Sequence, residues 1–216
     1  MREPAAARRW EAAGRPIVPS LLVDGVARPV LHVSQLSTWL GLPVPPTEAS
    51  TRAGWDILGL ARAWVDHLGV VDGALLLQPT PSRDRTLKEL TVNTFHPLEL
   101  LPGAWRDGAF DWHPEEDVGR MESLPDADAV RRYAQRISDG WNVFLLDGGE
   151  TLGERDPEIR TPRGTIAFST LLTSQRWHAA FHYRQLTVFL AARGFRLQSA
   201  LPPDALDAFE LPEEVY

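Results

Sequence analysis

Apolar residues recur at intervals of three and four along four long stretches of this chain, and that spacing predicts amphipathic helices. The predicted helices run over residues 50–69, 86–105, 126–148 and 168–194. The last of them is the longest run without a proline or an internal glycine. Since each helix has one apolar face to bury, the simplest architecture is mainly α, an up-down four-helix bundle.

Local signals mark the starts of two of these helices. Thr86 and Glu89 have the spacing of a capping box, in which each side chain binds the other residue's backbone N–H. Asp126 is the predicted cap of the third helix. Pro97 lies inside the second helix and removes one backbone donor, so we expect a kink or break there, directly beside His96.

Two segments, residues 106–125 and 150–164, have no periodicity. Loops of this length in a compact domain are usually functional or flexible. The tail that follows Gly194 contains three prolines and is expected to wrap the surface of the domain. Its predicted apolar anchors are Leu201, Phe209 and Leu211.

The N-terminal region has a different pattern. An apolar run that ends in Asp24-Gly25 predicts a β-hairpin, and Ser34 is the predicted cap of a short helix that stops at Gly41. This piece resembles the second half of a glutaredoxin, without the half that carries the redox Cys-x-x-Cys. Two readings stay open: a remnant without thiol chemistry, or a small hairpin that packs on the main domain.

The sequence Leu-Pro-Val-Pro-Pro at residues 42–46 predicts a stiff, extended linker. We therefore divide the chain at this point. Residues 1–46 form a small appendage of a β-hairpin and a helix, and residues 47–216 form the helical domain with its C-terminal tail.

Composition narrows the classes of function. The chain is 44% hydrophobic and 24% charged, as expected of a globular protein with a substantial core. Its net charge is -7 without a basic stretch, which argues against a nucleic-acid partner. The absence of cysteine excludes disulfides, thiolate metal sites and cysteine nucleophiles. We find neither a signal peptide nor an apolar run of about 20 residues, so we expect a cytoplasmic protein without a membrane partner.

Three histidines are candidates for a metal site. His178 and His182 are four residues apart, so on a helix their rings share one face, about 5–6 Å apart at Cβ, and can reach one ion. The motif lacks the glutamate of zinc metalloproteases, and a purely structural histidine pair is the alternative. His96 lies in an apolar setting, where a buried imidazole needs partners for both nitrogens. A metal ion or a hydrogen bond within the core would satisfy it.

The other three histidines are expected to lie outside any such site. His32 falls in the N-terminal piece and His113 in a loop, so surface positions are predicted for both. His67 follows Asp66 near the end of the first helix, which favours a solvated polar face.

The segments NTFHPLEL around His96 and RWHAAFHYRQL around His178 and His182 resemble the DinB/YfiT-like superfamily over residues 50–200. The resemblance implies a four-helix bundle in which these three histidines bind a divalent transition metal: zinc, nickel, iron or manganese. Three neutral imidazoles would leave at least one open position on the ion. Asn93 and Gln185, one turn from His96 and His182, are candidates to hold the imidazoles by their other nitrogens.

The same resemblance implies a metal-dependent enzyme that transfers groups on low-molecular-weight thiols such as mycothiol or bacillithiol. The metal would bind the thiol and lower its pKa, so the protein would need no cysteine of its own. Three alternatives stay open. They are hydrolysis by metal-bound hydroxide, a non-catalytic, stress-related, dimeric binding module with a structural metal, and a core in which the histidines bind no metal.

Overall fold

The protein is mainly helical and carries small two-stranded hairpins. Within the part of the chain that the structure describes, no helix is long and apolar enough to cross a membrane. The computed structural model describes residues 8, 12, 20–23, 26–29, 39–41, 50–80, 85–113, 115–148, 151–195, 201, 205, 206, 209 and 211.

The four longest helices in the described residues correspond to the four periodic stretches. The helices are α1 (Ser50–Leu68), α2 (Gly73–Leu76), α3 (Leu87–Asp107), α4 (Glu116–Glu122), α5 (Ala127–Gly148) and α6 (Phe168–Ala191). The strands are β1 (Ser20–Val23), β2 (Val26–Pro29), β3 (Glu158–Thr161) and β4 (Gly164–Ala167). The predicted helix positions are therefore confirmed, with α6 ending three residues before Gly194.

The four long helices pack around one hydrophobic core. Helix α1 packs mainly against α5 and α6, and α3 packs against the same two helices. Each helix thus buries its apolar stripe between two neighbours, as its periodicity requires. The largest fully buried aromatic side chains are Trp64, Phe95, Trp141, Phe168 and Phe189.

Helix α3 starts as predicted and ends later than predicted. The Thr86 side chain accepts from the Glu89 N–H, and the Glu89 side chain accepts from the Thr86 N–H, which completes the capping box. The helix then continues through Pro97 and Pro102 to Asp107. Of the kink or break expected at Pro97, the break is therefore wrong, and the helix ends two residues beyond the expected end at Trp105. Each proline removes only one hydrogen bond, and burial on α5 and α6 keeps the helix continuous.

A side chain from α5 replaces one of the backbone bonds that the prolines remove. Pro102 has no N–H to donate to the carbonyl of Leu98, four residues earlier. The indole Nε1 of Trp141 donates to that carbonyl oxygen at 2.9 Å. Because Trp141 and Leu98 are both buried, this bond satisfies an acceptor that water cannot reach.

The two segments predicted to be irregular contain regular structure. Helix α4 lies in the first, and the second contains a turn of 3-10 helix (Thr151–Gly153) followed by β3. Strands β3 and β4 pair antiparallel with Ile159 opposite Ile166, and both side chains are buried. Arg160 also forms a parallel bridge with Ala109. A single inward-facing residue on each strand gave too little periodicity to predict this hairpin.

In the N-terminal region, β1 and β2 form the predicted antiparallel hairpin, with Val23 opposite Val26. Trp39 and Leu40 are helical, and Gly41 has a φ of 66° at the predicted end of the short helix. The rest of that helix, the linker at 42–46 and the domain boundary lie outside the described residues.

The tail contacts the helical core at the predicted anchors. Leu201, Phe209 and Leu211 are partly buried against it, which confirms that prediction. The guanidinium of Arg176 on α6 lies 4.5 Å from the ring centroid of Phe209. Arg176 is itself buried and pairs with Asp56 on α1 at 2.9 Å, so Phe209 of the tail contacts one partner of an ion pair between two helices.

Candidate functional site

The two histidines of α6 contact each other. The ring centroids of His178 and His182 are 4.3 Å apart, and the ring planes meet at 71°. Their spacing of four residues puts both on one face of the helix. His182 is buried, whereas His178 is half-buried and lies at the edge of the site.

His96 is buried on α3 and is held by a carboxylate. Its Nδ1 lies 2.6 Å from Oδ1 of Asp117, which is buried on α4. Since a carboxylate only accepts, Nδ1 of His96 carries the proton, and in the neutral ring Nε2 holds the lone pair. Metal-binding histidines are commonly oriented by such a carboxylate.

Several contacts fix α4, and with it Asp117, against the longer helices. Arg120 forms a salt bridge with Glu99 of α3 at 3.1 Å and lies 5.6 Å from the ring centroid of Tyr133 on α5. Burial, reinforced by the charge of Glu99, raises the pKa of Tyr133, so its hydroxyl stays a neutral donor. The indole Nε1 of Trp112 donates to Oδ1 of Asp117 at 3.5 Å.

His182 contacts both residues expected to hold imidazoles. Its Nδ1 lies 2.7 Å from Oε1 of Gln185, and its Nε2 lies 3.0 Å from Oδ1 of Asn93. The Nδ2 of Asn93 donates to Oδ2 of Asp117 at 3.3 Å. Asn93 therefore connects His182 to the Asp117–His96 pair, and the histidines of α3 and α6 belong to one polar cluster.

Arg85, just before the cap of α3, contributes a positive charge to this cluster. Its Nη2 donates to Oε1 of Gln185 at 2.7 Å and lies 3.2 Å from Nδ1 of His182. Its Nη1 donates to Oδ1 of Asn93 at 3.3 Å. The guanidinium thus orients both amides, because an Arg N–H can only meet their oxygen atoms.

Aromatic rings flank the histidines of α6. The ring centroid of Trp112 lies 5.9 Å from that of His178, and the centroid of Phe181 lies 5.6 Å from that of His182. Phe181 is stacked on Trp177, with centroids 5.2 Å apart and planes at 6°. These rings place apolar surface beside the polar cluster.

The donor chemistry of the cluster suits a divalent transition metal. Nδ1 of His96 is held by an acceptor, which is the arrangement that leaves Nε2 for an ion. The spacing of the possible ligand side chains suits a metal ion less well. Among the described residues, no three His, Asp or Glu side chains are grouped closely enough to hold a metal ion. The Nε2 of His182 faces Asn93 instead, so binding by all three histidines requires this contact to change.

Sequence reasoning missed Asp117, Arg85 and Trp112. The one usable signal was the long aperiodic segment that contains Asp117 and Trp112, because such segments are often functional. Nothing local marks Arg85. Its importance comes from His182 and Gln185, which lie about a hundred residues further along the chain.

The remaining histidines lie elsewhere. His113 is exposed, as predicted, and His32 lies outside the described residues. The prediction of a solvated His67 is wrong. The His67 side chain is only 4% exposed, and its Nε2 lies 2.9 Å from the hydroxyl of Tyr183 on α6. Burial lowers the pKa of His67, against the smaller opposing effect of Asp66.

No protein-family model, curated protein or solved structure matches this chain. The resemblance to the DinB/YfiT-like superfamily therefore rests on the two histidine segments.

Proposed function

We propose that this chain is a cytoplasmic, metal-dependent enzyme built on a DinB-like four-helix bundle. In this proposal His96, His178 and His182 hold one divalent transition-metal ion. The packing of α1 and α3 against both α5 and α6 supports a bundle. The chemistry that the superfamily resemblance implies is group transfer on a low-molecular-weight thiol.

The observation that carries the proposal is the hydrogen bonding of the imidazole nitrogens. Nδ1 of His96 is bound to Asp117, and Nδ1 of His182 is bound to Gln185. The His96 ring is therefore held by the nitrogen that a metal ligand leaves to its protein partner, whereas His182 is held through both of its ring nitrogens. His178 touches His182 and is partly exposed, which suits a ligand next to an open position.

A bound ion would supply Lewis acidity, which lowers the pKa of a coordinated thiol or water. The protein's own residues would prepare the site. Asp117 and Gln185 orient two of the imidazoles, and Arg85 supplies a fixed positive charge beside His182. Trp112 and Phe181 place apolar surface beside the cluster, which strengthens electrostatic interactions there.

One observation favours a second candidate, a structural hydrogen-bond cluster that binds no metal. Both ring nitrogens of His182 already lie within 3.0 Å of protein oxygen atoms. Buried polar groups that satisfy one another rigidify a core without further function. In that case Asn93, Asp117 and Gln185 would serve stability alone.

Metal analysis of protein purified without a histidine tag separates the two candidates. We expect about one equivalent of zinc, nickel, iron or manganese after reloading, and a large loss in His96→Ala and in His178→Ala. His113→Ala, an exposed histidine outside the cluster, is the matched control and should keep the metal. Less than about a tenth of an equivalent in the wild type would leave only the structural candidate.

Thermal-shift measurements with a panel of small thiols test the enzymatic part of the proposal. The metal-loaded protein should gain stability with at least one thiol, because a ligand that binds only the folded state raises the Tm. The metal-free protein is the control. If no thiol shifts the Tm of the fully loaded protein, the thiol-transfer assignment fails although the metal site stands.

A further inference from the structure

A second concave feature of the molecule is a groove between α3 and α5, with a volume of about 500 Å3. Its floor includes Gly140 of α5, where an added Cβ would meet no atom within 4 Å. Its walls are mainly apolar and come from both helices: Leu98, Pro102, Trp105, Ile137, Trp141, Val143 and Phe144. Such a groove offers apolar surface to side chains from another molecule.

Helices α3 and α5 run in the same direction along this groove. It is lined by Glu99 and Arg136 near one end and by Arg106 and Asp147 at the other, where both helices reach their C-terminal ends. Asp107, the next residue on α3, offsets the charge of Arg106. The carboxylate of Asp147 and the carbonyl groups of two helix C-termini therefore make this end of the groove negative.

The opposite end of the groove is positive. The Glu99 carboxylate binds Arg120 at 3.1 Å and Arg136 at 2.8 Å, so two arginines share one carboxylate. A guanidinium has five N–H donors, and the Arg136 side chain is 59% exposed, so Arg136 can bind a further carboxylate. Arg136 and Asp147 are about three helical turns apart and lie on the same face of α5.

Between these two charges, α5 exposes apolar side chains. Val143 is 55% exposed and Leu146 is 68% exposed. Gly140, one turn before Val143, lets another helix approach closely because it has no side chain. The face of α5 from Arg136 to Asp147 thus has a positive end, an apolar middle and a negative end.

We infer that this face of α5 binds a second copy of the chain through a twofold axis that passes between Gly140 and Val143. Arg136 and Asp147 are equally far from this axis along the helix, so Arg136 of one protomer meets Asp147 of its partner, twice. Val143 and Leu146 of each protomer enter the groove of the other. A parallel pairing would oppose like charges, which is unfavourable. The surface is therefore self-complementary, as a twofold interface requires, and it does not depend on the metal site.

Sedimentation equilibrium of the full chain tests the inference. We expect the wild type to dimerise at concentrations up to about 100 μM. Leu146→Glu, which buries a carboxylate in the groove, and Asp147→Arg, which opposes Arg136, should each weaken the dimer at least about tenfold. Leu77→Glu is the control for the first, since Leu77 is 63% exposed and lies outside the groove. Asp128→Arg, at the exposed N-terminal end of α5, is the control for the second.

Three results would overturn the inference. The first is a wild type that stays monomeric at about 100 μM. The second is a Leu146→Glu variant that dimerises as tightly as Leu77→Glu, since the contact would then lie elsewhere. The third is an Asp147→Arg variant that dimerises as tightly as Asp128→Arg, since the two copies would then not pair antiparallel. Far-UV circular dichroism checks the fold of each variant. If Leu146→Glu does not fold, the comparison of Asp147→Arg with Asp128→Arg decides alone.

Discussion

Asp117→Ala is the substitution that most directly tests whether the hydrogen bonds of the polar cluster stabilise the protein. The carboxylate is buried and accepts from Nδ1 of His96 at 2.6 Å and from Nδ2 of Asn93 at 3.3 Å. Asp117→Ala leaves these two donors, and the more distant indole of Trp112, without this acceptor. A buried unsatisfied donor costs about 1–3 kcal/mol, and of these donors only Nδ1 of His96 is fully buried, so the expected loss of stability is about 1–3 kcal/mol. Asp117→Asn keeps one acceptor oxygen and should cost less than Asp117→Ala.

The same substitutions should weaken metal binding. Loss of the group that orients a metal-binding histidine lowers affinity about 10–100-fold. Urea unfolding of metal-free protein measures the stability term, and competition with a chromophoric chelator measures Zn2+ affinity. Glu116→Ala is the matched control, since Glu116 is the preceding residue on α4 and is exposed. If Asp117→Ala costs no more stability than Glu116→Ala, the buried carboxylate does not hold His96 as described.

Three further predictions concern stability. Trp141→Phe removes the donor to the Leu98 carbonyl oxygen and should lower the free energy of unfolding in urea by about 1–3 kcal/mol. Trp177→Phe, at a partly exposed site, is the control. A loss for Trp141→Phe no larger than that of the control would refute the stabilising role of this hydrogen bond. The lowered pKa of His67 means that the unfolded state binds the proton more readily, so stability should fall as the pH drops below about 6.5. His67→Gln should show a shallower fall, and an unchanged slope between pH 7 and 5 would contradict the assignment. Gly54→Ala brings a Cβ to 2.8 Å from Cδ2 of the buried Leu145, whose side chain then has to shift, so it should be less favourable to stability than Gly140→Ala. Gly140→Ala, with nothing within 4 Å, should stabilise its helix by about 0.5–1 kcal/mol, and equal effects of the two would refute the packing argument.

Helix positions were predictable because their causes are local. The capping box at Thr86 and Glu89 involves residues three apart, and the apolar stripe of α6 repeats within one helix. The absence of a break in α3 at Pro97 was not predictable in this way. The continuation of the helix depends on packing against α5 and α6 and on the indole of Trp141, which meets a carbonyl 43 residues away.

The candidate site was predictable only in the part that lies on helix faces. His178 and His182 are neighbours because of a spacing of four, and Gln185 reaches His182 from one turn away. Asp117 and Arg85 reach the histidines through tertiary packing, which no local pattern encodes. The buried position of His67 was not predicted for the same reason, since its partner Tyr183 lies 116 residues further along the chain.

The central claim is that His96, His178 and His182 share one metal ion. Crystals of the zinc-loaded, tag-free protein, measured on both sides of the zinc absorption edge, test it directly. The account predicts one strong anomalous peak within about 2.0–2.3 Å of a ring nitrogen of each of the three histidines. An anomalous map with no peak at these rings, or with zinc bound only at surface residues such as His113, would contradict it.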